Sequence, residues 1–542
     1  MSTLGTFRTG LAAAEPQRSY GPGTAERAAL EARLLELAGT PTEMPLVIGG
    51  RDVRSARTVT ATMPHDTRHA LGAVHWGGAG EVQQAIDAAA AAWPTWSRWP
   101  WEQRAAVFLR AAELLAGPWR DTLNAATMLG QSKTAREAEI DAACELCDFL
   151  RLNVAYLQQV YREQPDSPPG VWNQLEYRPL EGFVLAVTPF NFTAIAGNLP
   201  ASPALMGCTV VWKPSESAAL AAHFVMRLLQ AAGLPDGVIN LVHGPGAELV
   251  PVALASPELA GVHFTGSTTV FQSVWRQVGE NIGAYRNYPR LVGETGGKDF
   301  IIAHPSADPQ ALVTAIVRGA FEFQGQKCSA ASRVFVPESR WPALRAQLAG
   351  QVAGIPMGDV RDFHNFMGAV INRSAFERHR AAIAEARSAP GHSVLVGGGC
   401  DSEQGWFVEP TVVVAEDPGS RLLREELFGP VVTVHVYPDA RYPEALELID
   451  RSTPYGLTGA VFATDRAAIA LAHDRLRYAA GNFYVNDKPT GAVVGQQPFG
   501  GARASGTDDK AGSLWNLIRW VSPRTIKETF VPPRGYRYPF MD

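Results

Sequence analysis

From Gly182 onward the chain alternates short apolar runs with stretches long enough for a helix, and this alternation narrows the fold more than any other feature. Phe183–Val187, Thr209–Trp212, Val238–Val242 and Val262–Phe264 lack the polar–apolar alternation of a half-exposed strand and read as strands buried on both faces. Between them lie helix-length segments such as Ser217–Ala232, closed by Gly233-Leu234-Pro235. Strand–helix alternation of this kind predicts a parallel, doubly wound sheet that displays its ligands at the carboxyl ends of its strands. A second alternation from Phe300 to about Asn482 predicts another α/β domain.

At 542 residues the chain is too long for one simple core. It is 46% hydrophobic and 19% charged, the balance of an ordinary globular protein. A net charge of −5, with Lys and Arg scattered, gives no reason to expect nucleic acid. No run approaches the ~18 apolar residues of a membrane span. The first residues lack an apolar signal core and already carry Glu15, although Arg8 and Arg18 leave an organellar address open. The five cysteines are odd in number and irregularly spaced, which predicts free thiols in a reducing compartment. That compartment is the cytoplasm, or the mitochondrial matrix in a eukaryotic source. Cys144 and Cys147 form a C-x-x-C within a helix-like run from Glu137 to Leu152, but without a second pair or nearby His they read as core thiols. The 12 His show no metal-ligand spacing, so no metal is expected.

Ahead of the first strand, residues 1–23 read as an extended arm. Thr24–Leu37 reads as a helix capped by Thr24 and stopped at Gly39, and Gly80–Ala92 as a helix ended by Pro94. Trp93, Trp96, Trp99 and Trp101 suggest core packing. A polar, Pro-containing stretch, Gln164–Gly170, interrupts the first region, and Val521–Lys527 is again strand-like. These two pieces are expected to pair as a small sheet beyond the domains, suited to joining subunits.

Several loops carry candidate chemistry. Glu294-Thr295-Gly296-Gly297-Lys298 precedes Gln324-Gly325-Gln326-Lys327-Cys328-Ser329, so a carboxylate and a thiol both sit in glycine-containing turns. Together they can run a two-step covalent reaction: the thiolate attacks a carbonyl, and the carboxylate activates the water that releases the product. Lys327 is placed to favour the thiolate if it points the same way. After the first strand stands Thr188-Pro189-Phe190-Asn191-Phe192, where the Asn191 amide can stabilise an oxyanion. After the second comes Lys213-Pro214-Ser215-Glu216. An ammonium and a carboxylate there suit the hydroxyls of a nucleotide ribose, and the acid would repel a 2′-phosphate, favouring NAD over NADP. Gly266-Ser267-Thr268-Thr269-Val270 follows the fourth strand and opens a helix, a place where backbone N–H groups can cradle a pyrophosphate. It is not a G-x-G-x-x-G fingerprint. Gly244-Pro245-Gly246, after the third strand, reads as a structural turn.

This ordered set resembles the aldehyde dehydrogenase superfamily. The motifs that carry the resemblance are Asn191, Lys213-Pro214-Ser215-Glu216, Phe264-Thr265-Gly266-Ser267, Glu294–Lys298, Gly325–Cys328 and Glu426-Leu427-Phe428-Gly429-Pro430, spread over roughly residues 45–535. Thr188–Thr193, Cys328-Ser329-Ala330 and Thr490–Arg503 are similar to the branch acting on L-glutamate γ-semialdehyde, the open form of Δ1-pyrroline-5-carboxylate. Phe271, where most of the superfamily has glycine, also resembles that branch.

The resemblance implies a Rossmann-type NAD-binding domain (45–162 and 183–292), an α/β catalytic domain (293–490), an N-terminal arm and helix (1–44) and a β oligomerisation flap (163–182 and 510–542). It implies Cys328 as nucleophile, Glu294 as base and Asn191 as oxyanion donor. Thr188, Lys213, Glu216, Gly266, Ser267, Thr268, Thr269, Val270, Glu426 and Phe428 would surround NAD. Phe192, Ser329, Gly491, Ala492 and Phe499 would hold the substrate. The implied product is L-glutamate in proline breakdown, the implied assembly a homo-oligomer of at least two subunits, and the implied partner a proline dehydrogenase. Dehydrogenases of α-aminoadipic or succinic semialdehyde, a CoA-acylating enzyme and a non-enzymatic scaffold remain the rival readings. Glu294 argues against CoA transfer, and Cys328 with Glu294 argues against a scaffold.

Overall fold

The computed structural model describes residues 9, 10 and 13–541. Two seven-stranded sheets organise the chain. In the first, five parallel strands lie in the order Arg290–Glu294, Leu259–Thr265, Phe183–Val187, Thr209–Lys213, Ile239–Leu241, and the hairpin Leu46–Ile48/Arg51–Val53 adds antiparallel at one edge. All the apolar runs from Gly182 are therefore strands, although the third is shorter and the fourth longer than expected. Helices cover both faces, which explains the absence of polar alternation in the strands.

The second sheet runs His392–Val396, Thr411–Ala415, Val431–Tyr437, Ala331–Pro337, Asp299–Ala303, Thr458–Phe462, Asn482–Val485, parallel except for its first strand. The chain leaves the first sheet only after Glu294, because Arg290–Glu294 pairs along its whole length with Leu259–Thr265. A division after residue 292 would cut that strand.

The helix Ala25–Gly39 starts as expected, with the Thr24 hydroxyl accepting the Arg27 N–H. The next helix does not stop at Pro94. It runs Ala79–Trp96, since Pro94 forfeits one bond in the last turn while tertiary contacts hold that turn down. The Trp96 indole donates to the Ala204 carbonyl at 2.9 Å and that of Trp93 to Leu180 at 2.9 Å.

The run around Cys144 is also not one uniform helix. An α-turn, Ala135–Ala138, passes into a π-helical stretch, Glu139–Glu145, and then into the helix Leu146–Arg162. Cys144 and Cys147 are buried, and burial pushes the Cys144 thiol up to about 12, so both are core thiols.

Of the arm expected over residues 1–23, residues 1–8 and 11–12 lie outside the described residues. The part that follows contains no helix or strand and is fastened by charge. Glu15 pairs with Arg120 at 2.6 Å and Arg151 at 2.5 Å, and the Tyr20 hydroxyl donates to Glu139 at 2.8 Å.

Val171–Pro179 and Val521–Thr529 pair antiparallel as a two-stranded ribbon, register Val171↔Thr529 to Pro179↔Val521. Residues 510–520 are not part of the ribbon. Leu517 and Trp520 are buried in the first sheet's core, with the Trp520 ring 4.7 Å from that of His263. Among the described residues no helix is long and apolar enough to cross a membrane.

Candidate active site

The carboxyl ends of the first sheet's strands open onto a cleft of about 700 Å³. Thr188, Asn191, Lys213, Glu216, Gly266, Ser267, Thr269, Val270, Cys328, Glu426 and Phe428 all line it, together with Gly246 and Arg378. At one end the Lys213 ammonium donates to Glu216 Oε1 at 2.8 Å, and the same oxygen accepts the Gly246 N–H at 3.0 Å. The Gly244-Pro245-Gly246 turn therefore serves the cleft as well as the fold. The Thr188 hydroxyl accepts the buried Trp212 indole N–H at 3.0 Å. Ser267 caps the helix Thr268–Glu280, whose amino end faces the cleft. Oriented donors, a helix start and two carboxylates form a donor set that fits a dinucleotide. Thr268 is placed differently. Its hydroxyl donates to Ala504 at 3.1 Å and accepts the Gly296 N–H at 3.2 Å, so it braces the wall instead of lining it.

At the other end stands Cys328, on a loop held in an uncommon backbone state. Phe323, Gln324 and Gly325 are consecutive left-handed residues with φ of 49°, 54° and 65°. Buried amides pin them. Gln324 donates to Ser132 at 3.0 Å and Ala369 at 2.8 Å and accepts the Gly368 N–H at 3.0 Å, while Gln326 accepts the Ile371 N–H at 2.8 Å. Asn191, 3% exposed, donates its side-chain amide to the Gln326 carbonyl at 3.0 Å, leaving its second N–H free for another acceptor.

The Glu294 turn meets this loop from the first sheet. A Cβ on Gly297 would lie 2.3 Å from the Cys328 carbonyl oxygen, and one on Gly296 would lie 2.3 Å from Glu426 Oε2. The first of these meets backbone and needs glycine, whereas the second meets the end of a side chain that could shift. The Gly297 N–H donates to Glu426 at 2.8 Å, and the Gly266 N–H to the Glu294 carbonyl at 3.2 Å. Glu294 Oε2 accepts the Gly501 N–H at 3.1 Å.

Burial pushes the Glu294 carboxyl well above its usual range; Asp508 and Asp509 add to the rise, while the Gly501 N–H and Lys510 oppose it. Burial likewise raises the Cys328 thiol, with Asp299, Glu426 and Glu294 adding to it. Burial carries Glu426 up to about 7 against the pull of the Gly297 N–H and Lys298. Lys327 does not supply the thiol with a free cation, because its ammonium pairs with Glu322 at 3.1 Å.

Among the substrate candidates, Ser329 shares a hydrogen bond of 2.8 Å with Thr490, which brings it beside Gly491 (φ 90°) and Ala492. Phe192 lines a second cleft, with Lys133 and Lys327, its ring 4.3 Å from the Lys133 ammonium. Phe499 is fixed by two backbone bonds to Ala511, at 3.0 and 2.8 Å. Sequence reasoning read Gly246 as structural only, gave Thr490 no individual role, and missed Arg378 and the charges behind Phe192. Thr134-x-x-Glu137 is a legible capping-box pattern, and the structure forms it. No local signal marks Lys133.

The family description that matches the chain, aldehyde dehydrogenase family, spans residues 52–526. The Δ1-pyrroline-5-carboxylate dehydrogenase of Agaricus bisporus is 49% identical over 99% of this chain and 98% of its own length. The mitochondrial enzyme of that name from Mus musculus is 47% identical over 97% and 94%. The crystal structure of the Mycobacterium tuberculosis Δ-pyrroline-5-carboxylate dehydrogenase bound with NAD is 53% identical, covers 99% of both chains and superposes with a TM-score of 0.96. The matched region takes in the cleft, the Glu294 turn and the Cys328 loop, and the chain belongs to the aldehyde dehydrogenase family.

Proposed function

We propose that the protein oxidises L-glutamate γ-semialdehyde, the open form of Δ1-pyrroline-5-carboxylate, to L-glutamate. The observation that carries this reading is the meeting of three loops: Gly297 against the Cys328 carbonyl, and the Asn191 amide on Gln326. The cleft lining would hold NAD, which when bound would supply the hydride acceptor. Lys213, Glu216 and Glu426 would hold its riboses, and Thr188, Phe428 and the Gly266–Val270 turn would enclose the rest.

Cys328 releases its proton to solvent water, and the thiolate sulfur adds to the aldehyde carbon as the carbonyl π pair moves onto the oxygen. The oxyanion lies against the free N–H of Asn191 and the Cys328 backbone N–H, each donor being worth about 3–4 kcal/mol in such sites. When the oxyanion collapses and hydride departs, a thioester remains on Cys328. Glu294 takes a proton from water, the resulting hydroxide adds to the thioester carbon, and the Cys328 thiolate leaves as the carboxylate forms. Ser329 and the backbone N–H groups of Gly491 and Ala492 hold the substrate's α-carboxylate. Phe192 and Phe499 flank its short stem and keep water out.

The first sheet serves the cofactor and the second the nucleophile. The Val171–Pro179/Val521–Thr529 ribbon joins copies of the chain: an isolated two-stranded ribbon is marginally stable, and Trp172, Phe530 and Val531 on and beside it are exposed. A proline-oxidising enzyme supplies the substrate. The free state of all five cysteines supports a reducing compartment, the cytoplasm or, in a eukaryote, the mitochondrial matrix.

The deciding assay is NADH formation with Δ1-pyrroline-5-carboxylate against α-aminoadipic and succinic semialdehydes and simple aldehydes, with and without CoA. A preference for another aldehyde, or dependence on CoA, would sink this reading.

A further inference from the structure

Lys133 is 1% exposed and has no part in the chemistry above. Its ammonium donates to Asp141 at 2.7 Å and lies 4.3 Å from the centre of the Phe192 ring and 4.5 Å from that of Phe323. These contacts join separate pieces of the site. Asp141 accepts the N–H groups of Thr193 at 2.9 Å and Ala194 at 2.8 Å, at the start of the helix that follows Asn191-Phe192. Phe323 begins the left-handed stretch that leads to Cys328. Glu137, one helical turn before Asp141, accepts the Phe323 N–H and grips the same stretch from its backbone.

An ammonium this deep is costly to desolvate. Burial lowers its pKa and Asp141 opposes the fall. Well-packed apolar side chains in place of the whole Lys133–Asp141 pair would support the fold about as well, whereas removing one partner alone leaves a buried charge unpaired. What the cation adds is direction, since it satisfies one carboxylate and two ring faces at once.

We infer that Lys133 is a positioning residue: it locks the Asn191–Phe192 segment against the turn that presents Cys328, so that oxyanion donor and nucleophile keep their separation. This rests on the reading of Cys328 and Asn191 given above. A misplacement of about 1 Å between such groups costs on the order of 10²-fold in rate.

The test is Lys133→Met in the full-length protein, assayed by NADH formation from Δ1-pyrroline-5-carboxylate. The expected kcat is at least about tenfold lower, with the Kd for NAD unchanged within about twofold. The discriminating variant is Lys133→Met combined with Asn191→Ala. If Lys133 works through Asn191, the pair is slower than Asn191→Ala alone by no more than about twofold. Full multiplication of the two losses, or a wild-type kcat in Lys133→Met, overturns the inference.

Because Lys133→Met leaves Asp141 buried and unpaired, Lys133→Met with Asp141→Asn is the companion variant. It is expected to bind NAD and to show the same lowered kcat, and recovery of the wild-type kcat counts against the inference. If neither variant folds, the pair supports the whole molecule instead of the site, and the inference falls. If the wild type prefers a different aldehyde, the functional reading fails while the same comparison on that aldehyde still judges Lys133.

Discussion

The side-chain amide of Asn191 donates to the backbone carbonyl of Gln326 at 3.0 Å, so the loop after the strand Phe183–Val187 is tied to the loop that carries Cys328. The two are far apart in sequence, and the bond forms between buried groups, where its geometry is well defined. One N–H of the amide is committed to this tie and the other is available to the substrate oxygen. Asn191→Ala should therefore lower kcat by roughly 10²–10³-fold while NAD still binds, measured by steady-state NADH formation and by NAD titration. A loss confined to KM would contradict the oxyanion role.

Cys328→Ser should abolish NADH production and leave NAD affinity intact, because the residue touches only one end of the cleft. Full retained activity would remove Cys328 from the chemistry.

Glu294→Gln should permit a first burst of NADH and slow every later turnover, as thioester formation precedes the need for a base. The wild-type profile adds a second reading. As the proposed base, Glu294 would act when ionised, and burial has raised its pKa well above the usual carboxylate range. The steady-state rate should therefore climb with pH through that raised value, and Glu294→Gln should flatten the limb. An unchanged profile in the variant would assign the limb to another group, such as Glu426, raised to about 7.

Glu216 holds Lys213 at 2.8 Å and presents a carboxylate to the cleft. Glu216→Gln should raise the ratio of kcat/KM for NADP to that for NAD by about tenfold, the equivalent of roughly 1.4 kcal/mol of relieved repulsion. The measurement is initial rates with both cofactors, and an unchanged ratio would show that Glu216 does not set the preference.

Gly325→Ala should be destabilising and inactivating. At φ 65° its Cβ would lie 2.5 Å from the Gly429 carbonyl oxygen and 2.7 Å from that of Ala320, both backbone atoms with little room to give. The strained conformation alone costs about 1–3 kcal/mol. Differential scanning calorimetry should show a lower Tm, and a wild-type Tm would mean that the loop relaxes around the methyl.

Much of the scaffold is written locally. Fully buried parallel strands must be apolar throughout, so Phe183–Val187 and Thr209–Lys213 are visible as runs. Thr24 and Ser267 cap their helices because a hydroxyl beside a helix start has one obvious use. The failures share a cause. Pro94 marks a helix end by local rules, yet Trp93 and Trp96 are anchored by carbonyls distant in sequence and hold the helix open to Trp96. The π-helical stretch has no compositional signature; it carries Glu139, paired with Arg120, and Asp141, paired with Lys133. Trp520 falls within the stretch 510–542 expected to serve oligomerisation, but it is buried in the first sheet's core.

Strand composition and glycine-bearing motifs are local signals, so the two α/β sheets and the family were legible in the sequence, which also named Cys328 and Glu294 as the proposed reactive pair. Only the tertiary structure decided how that pair is held. Gly297 lies against the Cys328 carbonyl, the Asn191 amide on Gln326 and the Lys133 ammonium among Asp141, Phe192 and Phe323. Each of these contacts joins segments that the chain brings together only by folding, and buried hydrogen bonds and ring faces carry their directional information in three dimensions.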